Sequence, residues 1–89
     1  MITASEKRII REISERYAVK RVLLFGSSIV SGKESRDIDL AVEGIPPADF
    51  FRYYGDLILG LSRPVDVVDI SRTSKFTKMI KQEGILLYG

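Results

Sequence analysis

Asp37-Ile38-Asp39-Leu40-Ala41-Val42 is the stretch whose reading decides the fold, because its residue types alternate with a period of two. Successive side chains of a strand point to opposite faces, so Ile38, Leu40 and Val42 fall on one side and Asp37, Asp39 and Ala41 on the other. The apolar side needs a core to cover it. The two carboxylates share the remaining side, where they repel one another unless a cation or hydrogen-bond donors intervene.

Working outward, Val22 to Phe25 is a short apolar run stopped by Gly26, which reads as a buried strand entering a tight turn. Ser27 and Ser28 follow, and a serine there is able to cap a short helix over Ile29 and Val30 before Gly32 breaks it. On the other side of the acidic strand, Pro46-Pro47 opens a helix. Its stripe of Phe50, Phe51, Tyr54, Leu57, Ile58 and Leu61 recurs at helical spacing and carries most of the core. Phe51, Tyr53 and Tyr54 at the edge of that stripe are also able to pack on a base or a partner. Val65 to Ile70 forms a third strand, with Val65, Val67 and Asp69 on one face and Asp66, Val68 and Ile70 on the other.

The ends complete the pattern. Thr3 and Glu6 have capping-box spacing, and Ile9, Ile10, Ile13 and Tyr17 then predict an amphipathic helix over roughly Ala4 to Tyr17. Several caps between Ser71 and Ser74 precede a helix bearing Phe76, Met79 and Ile80. Gly84 ends that helix where left-handed termination is favoured, and Ile85 to Tyr88 is a last strand. Lys75, Lys78 and Lys81 lie on one exposed helical side as a solvated face. Strands and helices interleave with no repeat or linker, so the expectation is one α/β (α+β) domain over residues 1–89. It has a small mixed sheet, helices packed mainly on the face bearing Ile38, Leu40 and Val42, and the carboxylates on an open face.

Composition narrows the chemistry. The chain has 89 residues, 45% apolar and 29% charged, which suits one compact core and leaves no room for a second. It has no His and no Cys, which removes Ser-His and Cys-His catalysis, disulfides and His- or Cys-ligated metals, and leaves carboxylates, hydroxyls, Lys, Arg and Tyr. The net charge of +2 is spread among acidic residues, so there is no strong nucleic-acid signal. No apolar run reaches membrane-spanning length and no signal-peptide core is present, and the chain reads as cytoplasmic.

Three pieces then combine: Phe25-Gly26-Ser27, the Asp37-Ile38-Asp39-Leu40 strand, and Asp66 within Pro64-Val65-Asp66-Val67-Val68. Gly26 lets backbone approach a phosphate without a Cβ in the way, and Ser27 adds a hydroxyl and an N–H. Asp37 and Asp39 are placed to share a hard cation such as Mg²⁺, and Asp66 from a neighbouring strand completes a three-carboxylate set able to hold two metals roughly 3.5–4 Å apart. An Asp-x-Asp on a strand is, by itself, usually the solvated side of a sheet. An Asp among Val residues is costly to bury without a partner, which raises the weight of the trio. Asp69 is the rival third carboxylate, but it faces away from Asp66 and sits where a turn or cap is expected.

This string resembles the minimal nucleotidyltransferase family within the DNA polymerase β-like superfamily, in which a Gly-Ser turn precedes an Asp-x-Asp strand and a later strand supplies a third carboxylate. The likeness extends to the ending Lys81-Gln82-Glu83-Gly84-Ile85-Leu86-Leu87-Tyr88. It implies that Gly26 and Ser27 contact the triphosphate of ATP, that Asp37 and Asp39 bind Mg²⁺, and that Asp66 binds the metal nearest the acceptor and helps deprotonate it. Family members of this size resemble antitoxins that adenylylate a helical ribonuclease-type toxin. The sequence departs from the family in Ser28-Ile29-Val30-Ser31, which lacks an Arg often found after the Gly-Ser pair, and in a loop about one residue shorter. Lys33 and Arg36 are available to compensate. The competing expectation is a non-catalytic nucleotide-binding antitoxin or adaptor that neutralises a helical partner by contact.

Overall fold

The computed structural model describes residues 2–26 and 37–89. In chain order the elements are α1 (Ala4–Arg16), β1 (Arg21–Leu24), β2 (Ile38–Glu43), α2 (Pro47–Gly60), β3 (Val65–Asp69), α3 (Lys75–Glu83) and β4 (Ile85–Tyr88). The strands form one mixed sheet in the order β3-β2-β1-β4. β1 runs antiparallel to both β2 and β4, and β2 runs parallel to β3 through the α2 crossover. A parallel pair needs such a crossover, and a helix is its usual form.

Each helix start follows from its local sequence. Thr3 Oγ1 accepts from the Glu6 N–H at 3.0 Å, and Glu6 Oε1 accepts from the Thr3 N–H at 2.8 Å, which is the capping box expected for α1. Glu6 has a second role that spacing does not reveal. Its carboxylate also takes two hydrogen bonds from Arg63, at 2.8 and 2.9 Å, so α1 is pinned to the segment between α2 and β3. α2 begins on Pro47, whose fixed φ suits the first turn of a helix and whose missing N–H costs nothing there. At α3 the cap is Ser74, reciprocated by Thr77.

One apolar layer lies between α1, α2 and the sheet. Ile38, Leu40 and Val42 of β2 and Val65 and Val67 of β3 meet Ile10 and Ile13 of α1 and Tyr53 and Leu57 of α2. Tyr53 is fully buried, its hydroxyl 2.8 Å from Ser14 Oγ, so the sequence reading that placed it near a base or a partner gives way to a core role. The opposite face is less open than expected. α3 covers part of it, and Ile80 packs with Leu23, Ala41 and Ile70 in a second apolar cluster. Of the three described helices, α1 and α2 therefore occupy the expected face, and α3 packs on part of the other.

Gly84 differs from its expected left-handed termination. Its φ is −70° and ψ 155°, an extended conformation. Space is what requires glycine there: a Cβ would meet the Ile80 carbonyl oxygen at 2.6 Å and the Leu24 carbonyl oxygen at 3.2 Å. The Lys75, Lys78 and Lys81 side is not wholly solvated either, since Lys81 Nζ lies 3.3 Å from Glu43 Oε2 and ties α3 to the end of β2.

Candidate functional site

The register of two parallel strands builds the site. Asp39 of β2 is the partner of Asp66 of β3, and neighbouring strands lie about 4.8 Å apart. Their neighbours Ile38, Leu40, Val65 and Val67 all point into the α1–α2 layer, so the pleat turns both carboxylates to the other face. The ladder extends one step before β2, where the Ile38 N–H donates to the Pro64 carbonyl at 2.9 Å. Asp37, exposed and one residue before β2, falls on the same side as Asp39 by the same alternation.

Gly26 closes this row from the third strand. The Phe25 N–H donates to the Asp39 carbonyl at 3.0 Å, which carries the β1–β2 pairing past the end of β1 and sets Gly26 against the Asp39 side chain. Gly26 has φ +69°, a left-handed conformation, and a Cβ on it would lie 2.8 Å from Asp39 Oδ2. Glycine is thus required twice, for its backbone angle and for the room it leaves beside that carboxylate. Across the sheet the row reads Asp66, Asp39, Phe25-Gly26. Ser27 lies outside the described residues, as do the Ser28 to Val30 helix start, Gly32, Lys33 and Arg36.

Two further residues acquire places. Tyr54 reaches from α2 around the edge strand, and its hydroxyl donates to Asp66 Oδ1 at a long 3.5 Å while its ring stacks edge-on to Phe50. Sequence reading placed Tyr54 in the apolar stripe of α2 and at its edge as an aromatic for a base or a partner, not beside Asp66. The one available signal was a phenol on an apolar stripe, which usually finds a polar partner. Asp69 holds a turn: its Oδ1 accepts from the Ser71 N–H at 2.9 Å and the Ser71 hydroxyl at 2.6 Å. It lies opposite Val42, well along the sheet from Gly26.

The donor set is all oxygen, which is the chemistry Mg²⁺ takes, and the missing Cβ of Gly26 leaves room for the Asp39 carboxylate beside it. In donor type and strand placement the residues fit a magnesium-dependent site. Among the described residues no three His, Cys, Asp or Glu side chains converge closely enough to hold an ion as they stand. The Tyr54 hydroxyl gives Asp66 a partner on the outer edge. Among the described residues no helix is long and apolar enough to cross a membrane.

Known proteins resemble this chain in family and in fold. No curated protein matches the sequence. The fold is similar to that in a crystal structure of the toxin–antitoxin MntA–HpeT carrying a double Asp-to-Glu mutation, at 23% identity and a TM-score of 0.71, over 94% of this chain and 72% of that one. It is also similar to a crystal structure of a toxin–antitoxin with AMP-PNP, at 22% identity and a TM-score of 0.73, over 98% of this chain and 74% of that one. The family described as Polymerase beta, Nucleotidyltransferase matches residues 7–89, nearly the whole chain, and the protein belongs to that nucleotidyltransferase family.

Proposed function

We propose that this chain is a Mg²⁺-dependent nucleotidyltransferase that transfers AMP from ATP to a hydroxyl of a partner protein, acting as the antitoxin of a toxin–antitoxin pair. The observation that carries the reading is the in-register pairing of Asp39 with Asp66 beside the Gly26 turn. Family membership supports nucleotidyl transfer, and the fold's occurrence in toxin–antitoxin structures, one of them with AMP-PNP, supports the partner and the nucleotide. The expected partner is a helical, ribonuclease-type toxin.

In the proposed reaction the acceptor oxygen bonds to the α-phosphorus of ATP, the bond from that phosphorus to the pyrophosphate oxygen breaks, and pyrophosphate leaves. Asp37, Asp39 and Asp66 would hold Mg²⁺, which supplies neutralisation of the charge on the transferring group. The Gly26 backbone, with no Cβ in the way, and Ser27 bind the triphosphate. Asp66 on the outer strand receives the acceptor proton, and Tyr54 orients it.

A second reading, a non-catalytic nucleotide-binding antitoxin that works by contact, is supported by the fold's occurrence in toxin–antitoxin structures. One experiment separates the two. The chain is incubated with ATP, Mg²⁺ and the protein encoded by the neighbouring gene, and that protein's mass is measured. The enzymatic reading expects a gain of one adenylyl group. Co-elution with unchanged mass supports the contact reading, and neither co-elution nor a gain sinks both.

A further inference from the structure

Phe25 lies on the carboxylate face of the sheet. Val22 and Leu24 point into the α1–α2 layer, while Leu23 and Phe25 pack with Ile80 on the other side. The antiparallel register that pairs Leu24 with Leu40 brings Phe25 opposite Asp39, and the Phe25 N–H holds it there by donating to the Asp39 carbonyl at 3.0 Å. Side chains directly opposite in an antiparallel pair start about 5 Å apart. The half-buried Phe25 ring is therefore the next side chain along from the Asp39 carboxylate, one residue before the Gly26 turn.

Phe76 of α3 meets this ring edge-on, with centroids 6.3 Å apart and planes at 87°. An edge-on contact uses at most one face of either ring, and Phe76 remains 50% exposed. Met79, three residues on and so its neighbour on the helix surface, is 46% exposed. α3 is held to the sheet by other side chains, since Thr77 and Ile80 are the buried ones. Anchoring the helix thus gives no reason for the apolar surface that Phe76 and Met79 present. From β3 to α3 the order is Asp66, Asp39, Phe25, Phe76: two carboxylates followed by an aromatic pair.

A nucleoside triphosphate is divided in the same way, into an anionic end that needs a cation and backbone donors and a flat base that needs an apolar surface. We infer that Phe76, backed by Phe25 and flanked by Met79, is the platform on which the base of the bound nucleoside triphosphate stacks, an inference that rests on the nucleotidyl-transfer reading above. Stacking on an aromatic ring is open to every base, because each has a π-face. The flexible thioether of Met79 fits itself to the base's edge. Phosphates at Gly26 and the base at Phe76 then share one continuous surface, and the Asp66 and Tyr54 end of the row is left for the acceptor.

The test is the affinity of the purified chain, with Mg²⁺ present, for ATP and for inorganic triphosphate, measured by calorimetry for wild type, Phe76→Ala, Phe76→Leu and Phe76→Tyr. Stacking one base on one aromatic side chain corresponds to about 5- to 100-fold in affinity. A loss of ATP affinity of that size is expected in Phe76→Ala and Phe76→Leu, with triphosphate affinity unchanged and ATP affinity kept in Phe76→Tyr. Phe76→Leu retains an apolar contact with Phe25, so it reports on the ring even where Phe76→Ala fails to fold. Wild-type ATP affinity in every variant overturns the inference and leaves nucleotidyl transfer standing. Equal losses for ATP and triphosphate also overturn it, because Phe76 would then act only by supporting the Gly26 turn through Phe25. A wild type that binds neither ligand contradicts the nucleotidyl-transfer reading itself, and the inference with it.

Discussion

The two faces of the sheet are made by alternate residues of the same strands, and they have different tasks. Ile38, Leu40, Val42, Val65 and Val67 on one face are covered by α1 and α2 and are at most 7% exposed. On the other face α3 packs over Leu23, Ala41 and Ile70 and its Phe76 meets Phe25 edge-on, while Asp66 is exposed and Asp39 is half-buried beside Gly26. A period of two lets one strand hold the fold together with one set of side chains and present chemistry with the other. Stability and function should therefore separate at adjacent residues.

The largest expected effect is on the covered face. Leu40→Ala leaves a cavity where a fully buried side chain stood, and a loss of about 2–5 kcal/mol should appear in denaturant unfolding. A loss below about 1 kcal/mol would break the comparison, because Leu40 would then not be part of a close-packed layer.

Next is Glu6, which joins two elements under that layer. Glu6→Ala removes the capping box and leaves Arg63 without its carboxylate, at a cost of about 1–3 kcal/mol. Arg63's hydrogen bonds hold the Glu6 carboxyl below its ordinary value of 4.5, so the ionised form is favoured by folding. The contribution is therefore complete above pH 4.5 and is lost as pH falls through the lowered folded value. Melts between neutral and acid pH should show this loss in wild type, and a smaller one in Glu6→Gln.

Tyr53→Phe is smaller again. It keeps the ring but leaves the buried Ser14 hydroxyl without its partner, for about 1 kcal/mol. Burial pushes the Tyr53 phenol up to about 12 from its usual 10.0, and the Ser14 hydrogen bond only partly opposes that. Its neutral form is thus the one folding favours, and this part of the stability is complete below pH 10 and fades as pH rises towards 12. The Phe variant should lack that alkaline loss.

Much of this arrangement was legible beforehand, because the patterns that reveal it are local. The alternation in Asp37 to Val42 gave β2 and its two faces, Thr3 and Glu6 gave the start of α1, and Pro46-Pro47 gave α2. Asp66 on the same face as Asp39 followed from counting within each strand, although only the register shows that the two are direct partners. What stayed hidden depends on distant contacts. The side of the sheet that α3 covers is set by the chain's path after β3, and of the apolar residues that mark this helix Phe76 and Met79 are half-exposed, while Ile80 and Thr77 are buried. Arg63 is 57 residues from Glu6, and no local spacing joins them. Gly84 looked like a helix terminator by its place in the chain, but the carbonyl oxygens crowding it come from two separate elements. Tyr54 beside Asp66 required knowing that α2 passes the outer strand.

The central claim is that the carboxylate face is the seat of function, and Asp39→Asn tests it most directly. The substitution removes one charge at nearly constant shape on the partly covered face, so the empty variant should match wild-type stability within about 0.5 kcal/mol or exceed it slightly. Mg²⁺ and ATP at about a hundred times the dissociation constant should stabilise wild type by roughly 2.7 kcal/mol, a rise of several degrees in Tm for a domain this small. Thermal melts of both proteins with and without Mg²⁺-ATP are the measurement. A ligand-induced rise in wild type that is lost in Asp39→Asn is the predicted result, and equal rises in the two proteins would contradict it.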